Sequence, residues 1–141
     1  MKTDITTSED ITFLVTKFYE TLQENATIGY IFTDIVSLDL VEHLPKIIQF
    51  WETVLLGKMT YRGNVMRKHI ELNAKEKITE THFNKWIQIW NETIDAHFEG
   101  EKASEAKERA EMMKPIMLYK MRASEKGTFI RHLYKITKLH I

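Results

Sequence analysis

Residues 42–57 read EHLPKIIQFWETVLLG, and their pattern decides the fold class. Leu44, Ile47, Ile48, Trp51, Val54 and Leu55 recur every three or four positions. That repeat lays one apolar face along an α-helix, whereas a strand would alternate. With Val41 added, the spacing predicts a helix from about Leu38 to Leu56. Gly57 follows, where a residue without Cβ closes a helix most easily. Pro45 sits in the opening portion, where its missing N–H costs little, or else the regular helix starts a few residues late.

The same repeat extends in both directions. Upstream, Ile11, Leu14, Val15, Phe18, Tyr19 and Leu22 form one face of a helix. Thr7 or Ser8 can cap it, and Glu9 and Asp10 suit the positive end of its dipole. The stretch around Asn25–Thr27 breaks it, and a short apolar piece, IGYIFTDI, leads to the second helix. Downstream, MTYRGNVMRKHIELN reads as a turn and a short helix carrying His69, with residues 74–78 as loop. A third long helix is expected from about Thr79 to Phe98 and a fourth from about Ala103 to Met121, rich in good helix formers. Pro115 should bend or interrupt that fourth helix. Beyond Gly127, an amphipathic stretch carries Phe129, Ile130, Leu133, Tyr134, Ile136 and Leu139.

Composition narrows the function. The 141 residues fit one domain and bury enough surface to fold without disulfides. No cysteine is present, which removes thiolate catalysis and zinc fingers. Twenty acidic and twenty basic side chains cancel, so no net field points to nucleic acid or a membrane. No stretch nears the roughly 18 apolar residues a bilayer span needs, and MKTDITTSED lacks the apolar core of a secretory signal. A cytoplasmic protein is expected. Five glycines and two prolines are too few for the punctuation of a β-sandwich, so the expectation is all-α.

Six histidines raise the question of a metal. Leu40, Met66, Thr79, Ile94, Phe129 and Thr137 stand three residues before them, so no Glu-x-x-His pair of a di-iron bundle exists. The His-Glu-x-x-His zinc motif is absent, and Gly57 and Gly63 make neither a P-loop nor a dinucleotide fingerprint. What remains is a helical chain rich in large aromatics, Met and His. On residues alone, that fits a helical bundle with aromatic packing and solvated histidines.

The order of particular segments adds to this. KFYETL (17–22), IFTDI (31–35), EHLPKIIQFWETVLLG (42–57), YRGNVMRKHIEL (61–72), HFNKWIQIWNETID (82–95) and AKERAEMM (106–113) together resemble the group III truncated haemoglobins. The resemblance covers roughly residues 8–122, and the glycine pairs typical of other truncated haemoglobin groups are missing here, as in group III. It implies a 2-over-2 helical sandwich over residues 1–122, with a C-terminal helical extension over 123–141.

It also implies a haem b cofactor, with His69 of RKHIEL as the proximal iron ligand. An imidazole on a short helix suits that role, and Val65, Met66, Ile70 and Leu72 supply apolar neighbours. His43 matches the distal histidine and shares a side of its helix with Ile47, as residues four apart do. It either faces a bound ligand or binds iron itself. Tyr19 and Trp86 match the distal tyrosine and tryptophan, both able to donate to a ligand carrying negative charge. Phe32, thirteen residues after Tyr19, matches the phenylalanine wedged against the haem. Phe50 and Trp51 are expected to wall the pocket. Tyr61, Arg67 and Lys68 are candidates for the propionates, though a solvated charge run explains them equally well. Trp90 is read as packing. His82 is a rival haem contact with a structural role favoured.

With these donors the resemblance implies binding of O₂, NO or peroxide, and either nitric oxide detoxification or peroxidase-like chemistry assisted by an unidentified reductase. Oxygen storage or gas sensing is the alternative, since a fold does not assign a reaction. A monomer or weak dimer is expected. The extension carries Lys126, Arg131, Lys135 and Lys138 beside its apolar set, which suits packing on the domain, a dimer contact or an acidic surface alike.

Overall fold

A computed structural model describes residues 1–31, 40–58, 73 and 78–125, with backbone alone at 40–43, 124 and 125. Four helices stand among the described residues: α1 (Ser8–Glu24), α2 (Leu40–Leu56), α3 (Glu80–His97) and α4 (Glu101–Glu125). The short helix expected around His69 and the stretch 126–141 lie outside the described residues.

Three of the four starts are chemically specified. Thr7 caps α1: its hydroxyl accepts from the Asp10 N–H at 3.1 Å, while the Asp10 carboxylate accepts from the Thr7 N–H at 3.1 Å. This reciprocal pairing satisfies N–H groups that a helix start would otherwise leave open. At the other end Asn25 takes over, its side chain accepting from Thr27 N–H at 2.9 Å. The chain turns so tightly there that a Cβ on Gly29 would collide with the Gln23 carbonyl. Gly57 ends α2 at φ +70°, as its position in the sequence implied.

Thr79 caps α3 in the same reciprocal way, with His82 in place of the usual acid. The cap of α4 comes from far away in sequence. Asp4 accepts from the N–H groups of Lys102 and Ala103, both at 2.9 Å, and so closes the start of the last helix with the N-terminal segment. A parallel bridge between Thr3 and Phe98 and the buried Ile5 hold that segment in place.

Pro115 does not interrupt α4, which runs unbroken to Glu125. The proline and Glu111, whose carbonyl loses its partner to it, are both exposed, so water can satisfy the lost bond.

The helices contact one another as a closed set: α1 on α2 and on α3, α3 on α4, and α2 on α4. That is the two-pair arrangement of a truncated globin, with every described helix turned inward. The predicted face of α1 is the buried one, residue for residue: Ile11, Leu14, Val15, Phe18, Tyr19 and Leu22. Among the described residues, no helix is long and apolar enough to cross a membrane.

Candidate functional site

Where α1, α2 and α3 meet, six aromatic rings form one continuous cluster. Phe18 stands at its centre, edge-on to Trp86 at 5.3 Å, to Trp90 at 5.0 Å and to Tyr19 at 5.3 Å. Trp90 stacks on Trp86 at 6.1 Å and on Trp51 at 4.5 Å, and Trp51 meets Phe50 edge-on at 5.2 Å. Edge-to-face and offset stacks are the geometries the ring quadrupoles favour, so the cluster is held by orientation as well as area. Trp90 is fully buried, and its indole N–H donates to the Ala106 carbonyl at 3.1 Å. That bond ties the cluster to α4.

The cluster brings four of the expected site residues together: Tyr19 from α1, Phe50 and Trp51 from α2, and Trp86 from α3. Trp51 is buried beneath Trp90. Phe50, Ile47 and Trp86 are only partly buried against the core, as are Leu44, Ile48 and Val54. An apolar wall along α2 and α3 is therefore incompletely covered by the described residues.

Tyr19, edge-on to Phe18 in the cluster, brings a hydroxyl to it. It is 6% exposed, and burial pushes its phenol well above the ordinary tyrosine value. Its hydroxyl stays protonated and can act as a hydrogen-bond donor.

These residues fit a haem. A flat apolar ring needs a wall of large apolar side chains, and a diatomic ligand with partial negative charge needs a neutral donor nearby. Partly covered apolar side chains on α2 and α3 suit the ring, and Tyr19 and Trp86 are neutral donors within the same aromatic cluster. His69, Phe32, Tyr61, Arg67 and Lys68 lie outside the described residues, as does the side chain of His43 on α2.

His82 has a structural position. Its Nδ1 accepts from the Thr79 N–H at 3.0 Å, and its Nε2 pairs with the Tyr30 hydroxyl at 3.2 Å. Both ring nitrogens are engaged, one turn before Trp86. Sequence reasoning missed Tyr30 altogether, because a histidine at the third helical position is not the usual partner of a threonine cap. It also treated Phe18 only as core, although Phe18 joins Tyr19 to Trp86. The apolar repeat shows that Phe18 is buried but not what it touches.

No protein-family model matches the chain. Group 3 truncated hemoglobin ctb of Campylobacter jejuni is 29% identical over 116 residues, which cover 80% of this chain and 89% of that protein. The crystal structure of a group III truncated hemoglobin from Campylobacter jejuni superposes with a TM-score of 0.72 at 28% identity, over 83% of this chain and 92% of the other.

Proposed function

We propose that this chain is a truncated haemoglobin that holds haem b on His69 and uses a donor-rich distal side to retain O₂ for reaction with nitric oxide. The aromatic cluster that brings the Tyr19 side chain and the Trp86 indole together beside partly covered apolar side chains of α2 and α3 carries this reading.

When bound, haem supplies the iron at which diatomic ligands meet. The chain supplies everything around it. Ile47, Phe50 and Trp86 present partly covered apolar surface for the ring. Tyr19 donates a hydrogen bond to a ligand bearing negative charge, worth about 1.5–3 kcal/mol when the acceptor is charged. Phe18 and Trp90 fix the direction of Trp86, whose N–H can only donate. His43, one turn before Ile47, is the third candidate donor. Tight retention makes a poor carrier, because each 1.4 kcal/mol or so is tenfold in affinity. It favours a reaction in which held O₂ meets NO. Conversion of NO and O₂ to nitrate consumes one electron, so a reductase is required as partner.

The test begins with absorption spectra of the haem-reconstituted protein beside His69→Ala. A Soret band that is lost or strongly altered only in the variant supports the proximal role of His69. Absence of the band in the unaltered protein would sink the reading. Nitrate formation from NO under O₂ then tests the reaction, and turnover unchanged in Tyr19→Phe would count against the distal role.

A further inference from the structure

Helix α4 is apolar on two sides. Its buried side carries Ala103, Ala106, Ala110, Met117 and Met121 and packs into the core. Met112, Ile116 and Tyr119 are 60%, 51% and 75% exposed. At 3.6 residues per turn these three fall within about 60° of one another, and about 150° from the buried set. They form a second stripe on the outer side of the helix. Single exposed apolar residues need no explanation, but three in register make a contiguous patch.

The same chain has a segment suited to cover it. Residues 126–141 follow directly on α4 and contain Phe129, Ile130, Leu133 and Ile136. On a helix these share one side, and Arg131, Lys135 and Lys138 share the opposite side. Gly127 offers the break at which the chain can reverse. A helix over 128–139 is about 18 Å long, and the distance along α4 from Glu125 back to Met112 is about 20 Å. An antiparallel return over 128–139 therefore runs past Tyr119 and Ile116 towards Met112. Charge agrees with that direction. The segment has no acidic residue, and Lys138 would arrive on the side of Glu108 and Glu111, which are exposed on α4 near the N-terminal end of the stripe with Arg109 between them.

We propose that residues 128–139 fold back as an amphipathic helix onto the Met112–Ile116–Tyr119 stripe of α4. A second copy of the chain could use the same stripe. A tethered segment competes with it at an effective concentration of the order of mM, which favours the intramolecular contact at ordinary protein concentrations.

The absence of cysteine makes the test clean. In the full chain, Tyr119→Cys is paired in turn with Phe129→Cys, Leu133→Cys and Ile136→Cys, and as controls with Arg131→Cys and Lys135→Cys. A disulfide forms only where Cα atoms come within about 7 Å. The expected result is a bond within one chain for at least one apolar-side pair and none for the basic-side pairs. Limited trypsin digestion gives a second reading. Cleavage after Arg131 and Lys135 should speed up about tenfold in Ile116→Gln, since burial protects in proportion to the closed population. Circular dichroism checks that this exposed-site variant folds, and slow amide exchange over 129–139 in the unaltered chain supports the contact independently. Cross-links only between chains, with a dimer dispersed by Ile116→Gln, would overturn the proposal in favour of a second copy. Protection that appears only with anionic lipid vesicles would overturn it in favour of a membrane surface. Equal cleavage rates in both proteins would overturn it outright.

Discussion

Tyr19 is one of the donors of the proposed site, and it is buried. Its burial favours the neutral phenol in the folded chain, so folding raises its pKa above the unfolded value. A group shifted in that direction adds stability that is whole below about pH 10, and the contribution is lost as pH climbs from there towards the raised value. An alkaline titration followed by tyrosinate absorbance should therefore show one tyrosine that ionises only with unfolding, and Tyr19→Phe should remove it. The same substitution should speed O₂ dissociation from the haem-loaded protein by about 10–150-fold, the ratio for a lost bond of about 1.5–3 kcal/mol. An unchanged off-rate would place the hydroxyl out of reach of the ligand. Trp90 serves a different end. It is buried, stacked between Trp51 and Trp86 and bonded to Ala106. Trp90→Ala should lower stability in urea by about 3–5 kcal/mol and alter the near-ultraviolet dichroism of Trp86.

At the level of the helix, the termini carry the testable content. Burial pushes the Asp4 carboxyl up, but donation from the Lys102, Ala103 and Ile5 N–H groups, with the Lys102 charge, outweighs it and holds the group below its ordinary value. The stabilisation it provides is therefore present above about pH 4 and is lost as pH falls through the lowered folded value. Asp10, capping α1, is held low by the same kind of donation from Thr6 and Thr7, against the upward push of burial. Asp4→Ala should cost about 0.5–2 kcal/mol at neutral pH, the range for a lost cap, and flatten the acid limb of a stability–pH curve. A curve of unchanged shape would show that the cap is dispensable. Helix faces were legible in the sequence because the 3.6-residue repeat is a local property, and α1 buries each of the six residues that the repeat picks out. Two features of α4 were not. Its cap lies some hundred positions upstream, at Asp4, which no local pattern connects to Lys102. Its passage through Pro115 depends on that position facing outward, which is a tertiary fact.

In the whole molecule, α1, α2 and α3 converge on an aromatic cluster from which part of the α2–α3 wall remains uncovered. The resemblance identified Tyr19, Phe50, Trp51 and Trp86 by position, and folding brings them into one cluster. The sequence marks Phe18 as core and Trp90 as packing, and the structure adds that these two rings join the other four. A protein with partly exposed Ile47, Ile48, Phe50 and Trp86 gives up apolar burial that a bound ring can restore. Haem that binds only the folded chain must then stabilise it by mass action, by about 2.7 kcal/mol at a hundredfold excess over Kd. At about 3 °C per kcal/mol for a domain near this size, the melting temperature should rise by about 8 °C on loading. His69→Ala should lose most of that rise while its haem-free melting temperature stays close to that of the unaltered chain. Parallel thermal scans of both proteins, with and without haem, read the two effects separately. A rise that persists in His69→Ala would mean that apolar burial alone holds the ring. No rise in either would mean that the exposed α2–α3 wall does not accept it.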